Sequence, residues 1–274
     1  MPDLSFANLL VVCAIAVVAP LLLGFAPRVR VPSAVLEIVA GILVGPAVLG
    51  WVDVDVVLRV LSLIGLAFLL FLAGLEIDLG RLRGPLLRLA LLGYVVTIAL
   101  GLVAIAEHLG LENILGAFLA GAVVGLVDRD NRSHPQFRVK LEAVGYGFVI
   151  PVFFVTSGIG LDLQGLVDEP AALLRVPVFL LALLAVRGLP ALLYLPSLGR
   201  KRTLAAALLQ ATSLPFIVTA ATLGVAVGEL TSVNAAALVC AGLLSVVVFP
   251  AVALSRLRAH VLDGPDEPVR SEAG

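Results

Sequence analysis

The chain has 274 residues, 61% of them hydrophobic and 14% charged, whereas soluble domains run at about 45–50% apolar and 25% charged. That excess excludes an ordinary soluble globular domain, and a net charge of −1 gives no electrostatic ground for a nucleic-acid partner. Several apolar runs reach about 20 residues, the length that crosses the hydrocarbon core of a bilayer. The expected class is an all-α, polytopic transmembrane helical bundle with the lipid bilayer as its surroundings.

In chain order, about nine spans are predicted, over residues 6–26, 33–50, 56–77, 86–106, 112–127, 144–161, 171–195, 203–227 and 231–254. The first run follows Met1-Pro2-Asp3 with no basic n-region, so it is read as a retained span and not as a cleaved signal peptide. No segment alternates as a membrane β-strand does, and continuous apolar runs satisfy their backbone groups in lipid as helices. Residues 1–260 are expected to form the membrane domain, and the polar stretch 261–274 a disordered cytoplasmic tail. Cys13 and Cys240 both fall in apolar runs, where thiols pack as small core residues and form neither a disulfide framework nor a metal signature.

The loops set the orientation. Arg28 and Arg30, then Arg81, Arg83 and Arg88, then Arg129, Arg132, Arg138 and Lys140, then Arg200, Lys201 and Arg202, and finally Arg256, Arg258 and Arg270 all collect on one side. Those are fifteen of the eighteen basic residues, and the Lys/Arg-rich side is cytoplasmic. The other side carries Asp3, Asp53, Asp55, Glu107, Glu112, Asp162, Asp168, Glu169 and Glu229, with Arg59 and Arg175 near those ends. The N-terminus is therefore expected outside and the C-terminus in the cytoplasm of a cell with a bacterial type of inner membrane. Arg187 falls within the seventh span.

Small residues recur every four positions, Gly41 with Gly45 and Ala117 with Gly121 and Gly125, a spacing that lets helix backbones approach closely in lipid. Two stretches read as interrupted helices: Thr156-Ser157-Gly158-Ile159-Gly160 after Pro151, and Gln210-Ala211-Thr212-Ser213-Leu214-Pro215. Hydroxyls and freed carbonyls at such breaks can coordinate ions. Pro215 removes a donor and frees the carbonyl four residues earlier, at Ala211; a plain kink repaired by Thr212 or Ser213 is the equal alternative.

Val31-Pro32-Ser33-Ala34-Val35-Leu36-Glu37-Ile38-Val39-Ala40-Gly41-Ile42-Leu43-Val44-Gly45-Pro46 resembles a signature of the Kef and Nap type monovalent cation:proton antiporters, the sodium/hydrogen exchanger family. Phe68-Leu69-Leu70-Phe71-Leu72-Ala73-Gly74-Leu75-Glu76-Ile77-Asp78 is similar to the third helix of that family, and Leu115 to Gly121, His134-Pro135 and Pro151 to Leu163 to its C-terminal half. The resemblance covers nearly the whole chain. It implies a basic membrane residue, here Arg187, ahead of an interrupted helix, here Gln210 to Phe216; where many members read Gly-Gly-Glu-Phe, this chain reads Ala211-Thr212-Ser213-Leu214.

The resemblance also exposes a gap. Members are built as inverted repeats with two discontinuous helices crossing beside an acidic ion-binding helix. Between Leu86 and Gly116 there is neither a Ser-Ser-Thr-like interruption nor an Asn-Asp or Asp-Asp pair in an apolar run. An internal deletion is inferred near residues 104–106, dividing the domain into an N-terminal segment, residues 1–104, and a C-terminal segment, residues 105–260. Loss of an even number of spans keeps the loop alternation intact.

The ion-pathway candidates are accordingly Arg187, Thr156, Ser157, Gln210, Thr212 and Ser213. Glu37, Glu76, Asp78 and Asp162 are read as boundary carboxylates, anchored where Arg30, Arg81 or Arg83 can pair with them; a carboxylate within reach of Arg187, from Glu76, Asp162 or a neighbouring chain, would substitute for its missing acidic partner. A charge inside a span costs about 2.5–3.5 kcal/mol or more, so Arg187 must be paired, hydrated or snorkelling. His108, His134 and His260 lie in loops or at helix ends, no His-Glu-x-x-His pattern occurs, and Ser157 lacks a Gly-x-Ser-x-Gly context. No catalytic residue, metal site or cofactor is expected. The resemblance implies a homodimeric secondary transporter exchanging Na⁺ or K⁺ for H⁺ by alternating access. The competing reading is a transport-inactive shortened paralogue that partners or modulates full-length relatives, and a third is a leak through an incomplete core.

Overall fold

A computed structural model describes residues 6–25, 31–76, 112–127 and 136–262. Every regular element among them is helical. The helices are α1 (Phe6–Phe25), α2 (Ser33–Val44), α3 (Val56–Leu75), α4 (Glu112–Val127), α5 (Phe137–Ile159), α6 (Leu163–Asp168), α7 (Pro170–Tyr194), α8 (Leu195–Gln210), α9 (Leu214–Ala226) and α10 (Ser232–Leu262). Six stretches are long and apolar enough to cross a membrane: Phe6–Phe25, Val56–Leu75, Phe137–Ile159, Pro170–Tyr194, Arg202–Ala226 and Ser232–Arg256. Two shorter apolar helices, Ser33–Val44 and Leu115–Gly125, accompany them. The span expected at 86–106 and the inferred junction at 104–106 lie outside the described residues.

The chain divides into two helical units. The first holds Met1–Leu161 with Val225–Glu229, and the second Asp162–Gly224 with Leu230–Gly274. In the first, α2 and α3 both pack against α5, α4 packs against α3, and α1 lies against α2 and α5. Its core joins Val12 and Ala16 of α1, Leu58 of α3, and Val152, Val155 and Ile159 of α5, with Val52 plugging one end. In the second unit α10 packs on α7 and α8 around Ala205, Leu208, Ala211, Phe249 and Ala253.

Helices meet here through glycine, because in lipid close backbone approach replaces the hydrophobic drive. A Cβ on Gly41 would run into the Val155 carbonyl oxygen and stand 3.2 Å from Cα of Gly158. Gly121 lies equally close to the Phe71 carbonyl, and a Cβ on Gly125 would be 2.8 Å from that of Leu75. The four-residue spacing of small side chains thus serves packing, as its sequence pattern indicates.

Several boundaries differ from the sequence expectation. The second helix stops at Val44 and does not run to 50: Gly45 is extended (φ −74°, ψ 177°), the conformation that a residue before proline favours. The chain then doubles back, Gly50 N–H donating to the Gly45 carbonyl at 2.8 Å and Trp51 N–H to that of Val44 at 3.0 Å. The sixth predicted span begins earlier, at Phe137, with Arg138 and Glu142 paired at 2.7 Å across one exposed turn. It passes through a wide π-helical turn, Gly145–Val149, just before Pro151. A proline lacks the N–H and crowds the preceding turn, and a locally widened turn absorbs both defects. The eighth span, by contrast, lies where expected, at Arg202–Ala226, beyond a kink at Gly199 (φ 70°) within α8.

Candidate functional site

Arg187 lies in a π-helical turn of α7, Leu184–Gly188, a local widening that recurs at functional sites. Gly188 lets α8 come close, a Cβ there standing 3.3 Å from the Ala207 carbonyl oxygen. The approach carries Arg187 to the end of α8, where its Nε–H donates to the Gln210 carbonyl at 3.4 Å. Its guanidinium also lies 5.7 Å from the centroid of the Phe216 ring, within reach of a cation–π attraction. Among the described residues no carboxylate forms an ion pair with Arg187. Asp162, in the same unit, is engaged by Gly165 and Ser232 instead, and the Arg187 side chain turns to the helix break.

That break is real. α8 ends at Gln210 and α9 begins at Leu214, which places Pro215 in a first helical turn, where its missing N–H costs nothing. The Thr212 hydroxyl donates to the Leu209 carbonyl at 2.6 Å, the local repair weighed for a kink, and the Ser213 carbonyl accepts from Ile217 N–H at 3.1 Å. Arg187, Gln210, Thr212 and Ser213 are therefore brought to one place.

Thr156 and Ser157 are not at a break. α5 continues as regular helix through Ile150–Ile159 and ends at Gly160, whose N–H donates to the Thr156 carbonyl at 3.0 Å. Gly158 serves contact with α2, since a Cβ there would meet the Ile38 carbonyl. The hydroxyl oxygens of Thr156 and Ser157 are buried without a hydrogen-bond partner.

The carboxylates divide. Asp162 caps α6, accepting from Gly165 N–H at 2.9 Å, and also accepts from the Ser232 hydroxyl at 3.1 Å, so it anchors α6 to the start of α10. Glu76 is exposed at the end of α3, where its N–H closes the last turn. Asp78 lies outside the described residues, as do Arg30, Arg81 and Arg83. Glu37 departs from the expectation of a boundary charge: it is 1% exposed, enclosed by protein in α2. Its Oε1 has no hydrogen-bond partner. Sequence patterning does not reveal this enclosure because α2 is apolar on every face. Among the described residues no group of His, Cys, Asp and Glu is placed to hold a metal.

Apolar helices of spanning length, one of them interrupted beside a basic side chain, define an integral membrane bundle. The sequence profile described as "Sodium/hydrogen exchanger, transmembrane" matches residues 13–105 and 92–255. The chain belongs to the sodium/hydrogen exchanger family. It is 40% identical over 131 residues to YjbQ of Bacillus subtilis, provisionally named an Na(+)/H(+) antiporter, covering 47% of this chain and 20% of that protein. It is 29% identical over 183 residues to the Na(+)/H(+)-K(+) antiporter GerN of Bacillus cereus, 61% of this chain and 46% of that one. An Na(+)/H(+) antiporter of Enterococcus hirae is 34% identical over 94 residues, 33% of this chain and 24% of its own. The chain thus spans less than half the length of each of these relatives.

Proposed function

We propose that this chain is a secondary transporter, not an enzyme, that exchanges Na⁺ or K⁺ for H⁺ across a cell membrane. The observation that carries the reading is the meeting of Arg187 with the α8–α9 break, where the Gln210 carbonyl and the Thr212 and Ser213 segment lie beside a fixed positive charge. A cation entering such a break is coordinated by oxygen atoms, and Arg187 holds the break in place through the Gln210 carbonyl and the Phe216 ring. The relatives' names, which speak of Na(+)/H(+) and Na(+)/H(+)-K(+) antiport, support the substrates. Everted vesicles holding an acid-inside pH gradient test it: added Na⁺ or K⁺ dissipates the gradient saturably, and a gradient that holds in vesicles with folded, inserted protein refutes it.

The two stretches matched by the family profile overlap over residues 92–105, which supports an internal deletion near 104–106 and the division of the membrane domain there. The exposed apolar face of α1, with Phe6, Leu10 and Val17, suits lipid or a second copy and supports a homodimer. The basic loops support an outside N-terminus and a cytoplasmic C-terminus. In a background with Cys13 and Cys240 replaced, a cysteine at Asp53 is expected to react with an impermeant maleimide from outside, and one at Arg200 only after permeabilisation. Labelling on the opposite sides would invert the topology.

A further inference from the structure

The link between α2 and α3 is short and its surface is apolar. Val48, Leu49 and Trp51 are 56%, 47% and 68% exposed, large apolar side chains in close succession where a turn in water is built from Gly, Asn, Asp and Ser. Gly50 allows the reversal: it lies in the left-handed region (φ 61°), although a Cβ there would meet nothing within 4 Å.

An irregular segment is barred from lipid when its backbone donors are unpaired. From Val48 to Val52 every N–H is paired. Val48 and Gly50 donate to the Gly45 carbonyl at 3.3 and 2.8 Å, Leu49 to that of Leu43 at 3.1 Å, and Trp51 and Val52 to that of Val44 at 3.0 and 3.1 Å. These groups need no water.

Polar groups follow at once. Asp53 is exposed and its carbonyl accepts from Asn8 Nδ2–H at 3.1 Å, while Asp55 Oδ1 caps α3 by accepting from Leu58 N–H at 2.8 Å. Beyond that cap Val56, Val60, Leu63 and Ile64 are exposed along α3, a helix of spanning length. Trp51 therefore stands where the surface changes from apolar to polar, and an indole, with an apolar body and one N–H, favours that level of a bilayer. A second copy of the chain seated on this turn would bring its surface against the Asp53 carboxylate, whereas a headgroup region leaves that carboxylate hydrated.

We propose that the turn of residues 45–51 is a membrane-interface anchor: Val48 and Leu49 reach the acyl chains of the leaflet on the acidic side of the protein, the outer one by the loop charges, and the Trp51 indole lies at its headgroup boundary, fixing the depth of α2 and α3. The anchor is independent of the exchange reading, since it involves neither Arg187 nor the helix break.

Trp51 is the only tryptophan of the chain, so unlabelled wild-type protein reports on the turn. In liposomes its emission is expected to be blue-shifted from that of free tryptophan and to respond weakly to aqueous iodide present on both sides. Phosphatidylcholine brominated near the carbonyl end of its acyl chain is expected to quench it more than lipid brominated near the methyl end. Trp51→Phe supplies the blank. Val48→Asp, at an exposed position outside the core, is expected to shift the emission to the red and to increase quenching by iodide, because a charge there is drawn towards water. Strong quenching by iodide with none from brominated lipid would place Trp51 in water. Insensitivity to both quenchers would place it against protein, a second copy included, and stronger quenching from the methyl-end bromines would place it deep in the hydrocarbon. Each of these results overturns the proposal, as does an emission from Val48→Asp identical to that of the wild type.

Discussion

Gly158→Leu is expected to leave little folded protein, while Gly24→Leu is expected to leave yield and thermal midpoint near those of the wild type. At Gly158 the added carbon would collide with backbone of Ile38, whose carbonyl carbon would stand 3.0 Å and Cα 3.1 Å away. Backbone cannot rotate aside as a side chain does, so α2 and α5 must separate. That separation opens the core shared by Val155, Ile159, Val12 and Leu58. Overpacking of a tight core costs about 1–3 kcal/mol for an added methylene or two, and a leucine here exceeds that range. At Gly24 a Cβ meets nothing within 4 Å, so the same substitution there controls for a general effect of bulk in a membrane helix. Size-exclusion profiles and thermal denaturation in detergent measure both. Equal loss in the two variants would show that the crossing is not the point of closest packing.

Arg187→Ala is expected to weaken cation-driven dissipation of a pH gradient by roughly tenfold to a hundredfold, the combined scale of a charged hydrogen bond and a cation–π contact. The protein should still fold, because the side chain is half-buried and its partners are one carbonyl at 3.4 Å and one ring face. Arg187→Lys is expected to recover some of the loss, keeping the charge while losing the planar fork. Phe216→Ala, which removes only the ring, should fall between wild type and Arg187→Ala. Concentration–response curves for Na⁺ and K⁺ in everted vesicles give all four values. Wild-type response from Arg187→Ala would remove this side chain from the ion pathway.

Much of the fold is legible in the sequence, and the failures have local causes. α1, α3 and α4 are apolar runs set off by polar residues, so their limits coincide with a change of composition. Hydropathy carries α2 too far because Ala47, Val48 and Leu49 continue the apolar run past Gly45-Pro46, and hydropathy does not register a turn. The start of α5 escapes it for the opposite reason: Arg138, Lys140 and Glu142 make its first turns polar. Thr156, Ser157 and Gly158 read as a break because hydroxyl and glycine signals coincide there, whereas the helix uses Gly158 to admit Ile38.

The candidate site is legible in its members more than in its geometry. Arg187 and Gln210 are 23 residues apart, and their meeting depends on Gly188 resting against Ala207, a tertiary contact that no local pattern encodes. The Thr212 hydroxyl closes the end of α8 on the Leu209 carbonyl, a bond within the local turn. The enclosure of Glu37 is not readable, since a helix that is apolar all round gives no periodicity to say which face turns inward.

The most direct test of exchange uses purified full chain in proteoliposomes with a trapped pH indicator and no internal Na⁺ or K⁺. On adding external Na⁺ or K⁺, cation entry coupled to proton exit is expected to make the lumen alkaline, saturably and without any other energy source. A lumen that keeps its pH, in liposomes where folding and insertion are verified, would contradict cation:proton exchange by this chain.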